Sequence, residues 1–413
     1  MDDQREFAVE VVRRLQQAGH TALWAGGCVR DLLLGLPAAD YDVATTATPE
    51  QVRTVFGHRR TLTVGASFGV IIVQGPKPAG DVEVATFRTE GPYLDGRRPQ
   101  SVAFATPEED AQRRDFTING MFYDPLTEQV LDYVGGQRDL ELRQVRAIGD
   151  AHARFTEDKL RMLRAVRITA RFGFDLDRAT GEAVRAMARE ISVVSQERIA
   201  QELKKMLVNR HRARAVQLAA DLEVLLEILP EMAMPLATPT VWTMLIKSLE
   251  MLEAPRFELA MAVLLRQAVI PEQGIVACCR RLRLSIKEEE QIQWLVQHQN
   301  ALQDAVRQPL AKFKRLVAHP QIDELISLAR VYAQARGGID ADAGFAEQYL
   351  RETPRDIIDP PPLVNGEDLK QTGLRPGPAF KTLLETVRDA QLEGLVTGRA
   401  EALDLLRSLA HEA

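Results

Sequence analysis

The sequence has little cysteine, no long apolar run and no excess of positive charge. Its three cysteines, Cys28, Cys278 and Cys279, form neither a disulfide framework nor the spacing of a zinc site. Cys278 and Cys279 are expected as buried helix residues, and Cys28 as a small residue packed under a turn. No apolar stretch approaches the roughly 18 residues that mark a membrane-spanning helix. The first residues, Met1-Asp2-Asp3-Gln4-Arg5-Glu6, are acidic and lack the apolar core of an export signal, so no membrane association and a cytoplasmic location are expected. The histidines are scattered, without a His-Asp doublet or an HExxH pattern, which argues against a phosphohydrolase domain and a zinc centre. A formal charge of −6 speaks against a nucleic-acid partner, but its distribution reverses that. Between His152 and Arg214 stand 15 Lys and Arg against 8 Asp and Glu, a net of +7, so the remainder carries −13. A basic band inside an acidic protein is a plausible track for RNA.

What is present is ordinary globular material. With 413 residues, 46% hydrophobic and 27% charged, there is room for two to four domains. Gly26-Gly27-Cys28-Val29-Arg30-Asp31 stands out. It follows a short strand-like run, Thr21 to Ala25, and opens a helix start at Val29 to Leu34. Two glycines let the chain turn tightly, and a helix start turns free N–H groups toward a phosphate. Asp40-Tyr41-Asp42 then begins a second extended segment, where residues i and i+2 face the same way. Two such carboxylates repel unless a cation lies between them, and Mg²⁺ prefers oxygen ligands and substrate phosphates. Asp-x-Asp also occurs at Asp175/Asp177 and Asp340/Asp342, but without a strand, a glycine turn and a helix start upstream. The combination implies chemistry on a nucleotide's phosphates, with Asp40 and Asp42 as metal ligands.

The following segments alternate short helices and strands. Residues 3–18 form an amphipathic helix burying Phe7, Val11, Val12 and Leu15, and Thr48-Pro49-Glu50 caps another. Strands are expected at Thr61 to Val64, Gly69 to Gln74 and Val82 to Phe87. Asp81 and Glu83 share a strand face, and either could supply a third carboxylate. Residues 89–100 read as a mobile loop. Arg113-Arg114-Asp115 would set arginines against a triphosphate. From Thr156 a helix is expected, with Thr156 as its cap and Leu160, Leu163, Val166 and Ala170 as its buried arc. Asp158 and Arg161 are neighbours on another face of it. A carboxylate only accepts and a guanidinium only donates. Cytosine and adenine each present an amino donor beside a ring-nitrogen acceptor, so one such pair serves both bases; uracil and guanine present the reverse. Residues 178–190 and 196–209 read as further helices, and residues 210 to about 355 as a leucine-rich helical scaffold. A linker at Asp359-Pro360-Pro361-Pro362 precedes a glycine-rich turn at Thr372 to Pro378 and a last helical segment from Ala379.

The stretch from Gly26 to Asp42 resembles the head of class II tRNA nucleotidyltransferases and bacterial poly(A) polymerases. So do Asp81 to Arg88, Arg113 to Asn119, Glu157-Asp158-x-x-Arg161 and Gln196 to Leu203. The resemblance implies an α/β nucleotidyltransferase head with a small mixed sheet, followed by an all-α neck, body and tail, divided at about 1–148, 149–215, 216–358 and 359–413. It implies Asp40, Asp42 and Glu83 as catalytic residues, with Asp40 and Asp42 holding Mg²⁺. It implies nucleotide binding by Gly26, Gly27, Arg30, Arg114, Asp158, Arg161, Arg164 and Arg167. Its substrates would be CTP, ATP and tRNA, and its product the CCA end, added without a nucleic-acid template. An A-adding enzyme or a poly(A) polymerase would share every head motif. A CC-adding enzyme is disfavoured by the loop at 89–100, poly(A) polymerase by the tail, and a non-catalytic RNA-binding protein would not need Asp40 and Asp42.

Overall fold

The computed structural model describes residues 2–63, 69–90, 102–268, 272–371 and 378–412. Most of the loop expected at 89–100, and the glycine-rich turn at 372–377, lie outside the described residues. The chain divides into two compact units, Met1–Pro230 and Glu231–Ala413.

The first unit begins with α1 (Asp2–Gln17), which buries Ala8, Val11, Val12 and Leu15. Phe7 is half-buried and lies against Gly75, where a Cβ would stand 2.8 Å from the ring. Eleven strands follow among the described residues: β1 (Ala22–Ala25), β2 (Asp42–Thr45), β3 (Thr61–Leu62), β4 (Val70–Gln74), β5 (Asp81–Thr86), β6 (Arg88–Glu90), β7 (Val102–Phe104), β8 (Phe122–Asp124), β9 (Gln129–Leu131), and a parallel pair further on, β10 (Gln144–Val145) and β11 (Asp175–Leu176). Seven of them form a mixed sheet in the order β3-β4-β5-β2-β1-β8-β9. β2 and β5 run parallel and the other neighbours antiparallel. β6 and β7 pair separately as a short antiparallel ladder.

β1 is buried on both faces, as its Ala-Leu-Trp-Ala sequence requires at the centre of a covered sheet. Leu23 and Ala25 join Ala44, Phe87, Ala111 and Phe122 in one apolar cluster. Trp24 points the other way, toward α1, with the Arg5 guanidinium 5.9 Å from its ring. α2 (Gly27–Leu33) leaves the C-terminal end of β1, and α3 (Pro49–Phe56) begins at a capping box formed by Thr48 and Gln51, as expected. α4 (Pro107–Gln112) and α5 (Gly136–Glu141) complete the helices of this part.

Behind it come α6 (Ala151–Glu157) and α7 (Arg161–Phe172). The single helix expected from Thr156 is therefore two. Asp150 caps α6 by accepting from the Ala153 N–H at 2.7 Å, while the Thr156 hydroxyl donates back to the His152 carbonyl inside that helix. The break falls at Asp158, which is extended (φ −145°, ψ 104°) because its carboxylate accepts from the Leu160 N–H at 3.1 Å. A short polar side chain that bonds the backbone two residues on competes with helix. The expected arc of Leu160, Leu163, Val166 and Ala170 is buried, and Gly173 ends α7 in the left-handed conformation. α8 (Arg178–Met187) and α9 (Gln196–Leu207) follow at the positions expected.

The second unit is helical throughout its described residues. Phe257–Leu265 is apolar on every side and buried, and Glu272–Arg281 buries Cys278 and Cys279. The last helices, Pro378–Leu392 and Arg399–Glu412, pack with Gly366–Lys370 around Leu369, Val387, Ala402 and Leu406. No described helix is long and apolar enough to cross a membrane.

One glycine tests the packing beside the cleft. A Cβ on Gly136 would stand 2.3 Å from the Thr117 carbonyl oxygen and 2.7 Å from Met121 Cγ. Gly136→Ala should cost about 1–3 kcal/mol through overpacking, read as a drop of several degrees in Tm by calorimetry; an unchanged Tm contradicts this packing.

Candidate active site

Gly26 has φ 77° and ψ −125°, a conformation open to glycine and strained for any other residue. A Cβ there would approach Arg114 Nη1 to 3.1 Å. The turn thus brings the start of α2 and Arg114 together. Arg30 is buried. Its Nε and Nη2 donate to Asp31 Oδ1 at 2.9 and 2.7 Å, its Nη1 donates to Asn119 Oδ1 at 2.6 Å, and it lies 4.4 Å from the Phe172 ring centroid. Burial lowers its pKa, and Asp31 partly restores it. Arg30 is a braced group and not a free arm; the fork keeps further N–H donors beyond these bonds, and Gly27 lies beside it. Cys28 is buried, its thiol donating to the Ala25 carbonyl, and burial pushes its pKa up to about 12, which leaves it inert at neutral pH.

Asp42 is the first residue of β2, and Asp40 lies just before the strand, not within it. The parallel register sets Asp42 directly against Glu83 on β5. Aligned residues on neighbouring strands lie on one face about 4.8 Å apart. Asp81, two residues earlier on β5, has no partner on β2 among the described residues and pairs with Gln74 of β4. Asp42 is pushed up to about 6, first by burial of its carboxyl and then by the charges of Asp40 and Glu83, against the opposing pull of Arg114. The residue as a whole keeps an open surface, so solvent screens part of this shift. Among the described residues no three carboxylate, histidine or cysteine groups converge tightly enough to form a metal cage by themselves. A pair of carboxylates short of positive charge nonetheless suits Mg²⁺, which takes one or two protein oxygens and completes its shell with water and phosphate.

Arg113, Arg114 and Asp115 follow α4. Asp110, 1% exposed, accepts from Arg113 Nη2 at 2.7 Å and from Arg114 Nε at 3.0 Å, so both arginines stand on one buried carboxylate. Burial raises the pKa of Asp110, but the two guanidinium groups outweigh it and hold the carboxyl below its usual value. Asp115 Oδ2 accepts from Arg164 Nε and Nη2 at 2.8 and 2.6 Å, and its Oδ1 accepts from the Phe116 N–H and Asn119 Nδ2. Here too burial works upward and is overcome, chiefly by Arg164 and then by Arg161, leaving a value of about 2.

Asp158 and Arg161, expected to read the base, lie at the α6–α7 junction. Asp158 receives both prongs of Arg198, at 3.1 and 2.7 Å. Arg161 is buried; its Nη1 donates to Glu157 at 2.6 Å and to the Arg154 carbonyl, and its Nη2 donates to the Arg113 carbonyl at 3.1 Å. Arg167 donates to Glu202 at 2.5 Å. Asp158 and Arg161, expected as neighbours on one helix face, instead stand on either side of a helix break, each in its own ion pair. Much of the basic band is spent in the same way, since Lys159 pairs with Glu190 and Arg178 with Glu182.

Among these partners, Asp110, Asn119, Arg198 and Glu202 carry no role of their own in the sequence reading. Asp110 stands three and four residues before two arginines, a helical pairing distance that was legible. Arg198 and Glu202 lie on α9, and only the fold brings them to α7.

Asp42 carries a pH signature. A carboxyl whose folded pKa is raised contributes stability that is fully present below its unfolded value of about 3.8 and lost as pH rises through about 6. In metal-free buffer Asp42→Asn should therefore raise Tm at about pH 8, by a stabilisation on the order of 1 kcal/mol after solvent screening, and the gain should shrink toward zero at about pH 4. A variant no more stable than wild type at the higher pH contradicts the crowding of these carboxylates.

Residues 22–146 match the poly A polymerase head domain, and residues 173–234 match the probable RNA and SrmB-binding site of polymerase A. The CCA-adding enzyme of Geobacillus thermodenitrificans (strain NG80-2) is 43% identical over 215 residues, 52% of either chain. That of Streptococcus pyogenes serotype M3 is 39% identical over 217 residues, 52% of this chain and 53% of that one. The matched stretch spans about half the length of these curated relatives. The Bacillus stearothermophilus CCA-adding enzyme, solved in complex with CTP, aligns with a TM-score of 0.79 at 28% identity over 100% of both chains. The Thermotoga maritima CCA-adding enzyme, solved in complex with tRNA, shares the fold, with a TM-score of 0.66 at 22% identity over 99% of this chain and 95% of that one. Residues 22–146 and 173–234 thus carry the match to a poly A polymerase head domain and to a probable RNA-binding site of polymerase A, and about half of the chain is similar in sequence to CCA-adding enzymes.

Proposed function

We propose that the protein is a tRNA nucleotidyltransferase that adds CCA to the tRNA 3′ end from CTP and ATP without a nucleic-acid template. The observation that carries this reading is the register of Asp42 against Glu83, with Asp40 alongside and Arg114 reaching from the Gly26 turn. In the reaction the tRNA 3′-hydroxyl oxygen bonds to the α-phosphorus, the bond to the bridging oxygen breaks, and pyrophosphate leaves. Gly26, Gly27, Arg30 and Arg114 would hold the triphosphate, whose charge needs a dense set of donors. Nucleotidyltransferases of this family generally use a divalent metal; Asp40 and Asp42 would hold Mg²⁺, which supplies activation of the hydroxyl and neutralisation of charge on the leaving oxygens. Glu83 would orient the attacking hydroxyl.

Asp158 and Arg161 would select the base, and their bonds leave room for it. A carboxylate offers about four lone-pair sites; Arg198 takes two and the Leu160 N–H one, which leaves one for an exocyclic amino group. Arg161 has five N–H donors, three of them engaged, which leaves two for a ring nitrogen. Uracil and guanine would set acceptor against acceptor and donor against donor, at roughly 1–3 kcal/mol for each mispaired group. Arg164 and Arg167 would line the nucleotide from the same helix. On this reading 1–148 carries the chemistry, 149–215 chooses the base, 216–358 is scaffold and 359–413 grips tRNA. The substrates place the activity in the cytoplasm.

The test is incubation of tRNA ending at its discriminator base with labelled CTP, ATP and Mg²⁺. Two C followed by one A is expected, and chelation should abolish it; unlimited A from ATP alone contradicts the reading in favour of poly(A) synthesis. Arg161→Ala should lose base choice by about tenfold or more while retaining turnover. A variant that keeps wild-type choice between CTP and UTP contradicts the base-reading role.

A further inference from the structure

The carboxylates of the cleft stand where the sheet's ladder runs out. The register of β2 with both β1 and β5 ends at Asp42, opposite Ala25 and Glu83, and Asp40 lies two residues beyond it. The ladder therefore holds Asp42 and stops short of Asp40. Like charge works to separate the two, because Asp40 and Glu83 both act on the Asp42 carboxyl. Keeping Asp40 beside Asp42 takes a contact outside the ladder.

The residue between them makes that contact. Side chains alternate across an extended chain, so Tyr41 and Val43 face the side of Trp24, whereas Asp40 and Asp42 face the side of Ala25 and Glu83. The Tyr41 ring sits against Trp24, with centroids 4.7 Å apart and planes at 55°, inside the range that aromatic pairs prefer. Trp24 is a fixed base for it. The indole is 0% exposed, has the Tyr123 ring 5.6 Å away, and takes the Arg5 guanidinium of α1 at 5.9 Å. Its Nε1–H is buried with no hydrogen-bond partner among the described residues. A buried tryptophan usually pairs that group, and a phenylalanine there would avoid the cost. The broad indole is thus held by packing alone, and it supports a neighbour. Tyr41 itself keeps part of its surface open, so its ring lies on the core as a clamp over the Asp40–Asp42 backbone.

We propose that Tyr41 is a positioning residue: its ring, resting on Trp24, holds Asp40 and Asp42 on one side of the strand at a spacing that one divalent cation can bridge. The proposal rests on the reading that these carboxylates hold Mg²⁺. The test is Mn²⁺ binding by the full chain, read as loss of the free-ion EPR signal, in wild type, Tyr41→Phe, Tyr41→Leu and Asp42→Asn. An aromatic pair is equivalent to roughly two- to twelvefold in a binding constant. Tyr41→Leu, which keeps an apolar side chain and loses the ring, should weaken Mn²⁺ binding within that range. Tyr41→Phe, which keeps the ring, should restore most of the wild-type affinity. In CCA addition Tyr41→Leu should raise the Mg²⁺ concentration for half-maximal rate by the same factor and leave KM for tRNA unchanged. A metal-free measurement separates the clamp from the proposed reaction. At about pH 8 the gain in Tm from Asp42→Asn should fall by about half or more in the Tyr41→Leu background, where the carboxylates are free to part. Unchanged Mn²⁺ affinity in folded Tyr41→Leu, or equal damage in Tyr41→Phe, overturns the proposal, even where Asp42→Asn abolishes binding and the metal site stands. Equal Mn²⁺ binding by wild type and Asp42→Asn sinks the metal reading; the Tm coupling then decides the clamp by itself, its presence supporting Tyr41 and its absence overturning it.

Discussion

The buried carboxylate of Asp115 is the point on which the first unit turns. It is 8% exposed and receives four hydrogen bonds, two of them from Arg164 on α7. Removing one partner of such a pair strands a charge in the interior, at about 3–5 kcal/mol, so α7 has little freedom to leave the sheet. The two residues before it reach elsewhere. Arg114 stands at the Gly26 turn and acts on Asp42, while the Arg113 carbonyl takes a bond from Arg161. Asn119, four residues on, holds Arg30. One turn of chain therefore ties the glycine turn, the carboxylates and α7 to a common frame.

That frame holds charged groups in costly surroundings. Asp40, Asp42 and Glu83 crowd one another, enough to move Asp42 to about 6. Arg30 is held in the interior at a lowered pKa. Asp158 and Arg161 occupy each other's natural place with Arg198 and Glu157. Groups whose environments oppose their charged form gather where a protein binds charge. On the proposed reading, the pairs made by Asp158 and Arg161 would also fix their side chains before a nucleotide arrives, which reduces the ordering cost of selecting one.

Local signals carried most of the fold. The Thr48-Pro49 cap, the period-two alternation of Asp81 to Thr86 and the apolar arc of α7 are each written within ten residues of chain, and each stands where it was expected. What was not legible is long-range. Asp158 breaks the helix because its backbone bond to Leu160 and its pair with Arg198, forty residues away, together outweigh helix propensity. Arg167 and Glu202 are likewise partners only because α7 and α9 pack. The basic band marks a track for RNA by its count of charges, but a count of residues cannot show which charges are already paired. The alignment of Asp42 with Glu83 lies between these cases: the alternation put Glu83 on a face with Asp81, and only the strand register chose between them.

On the proposed reading, the Asp115–Arg164 pair sets α7 against the Asp42 and Glu83 carboxylates. The direct measurement is a double-mutant cycle of Asp115→Asn and Arg164→Gln, read on incorporation of CTP against UTP. The account predicts that each single change erodes the preference for CTP and that the two effects are strongly non-additive, with a coupling of about 1 kcal/mol or more. Additive effects, or an unchanged preference in variants that remain folded, would contradict it.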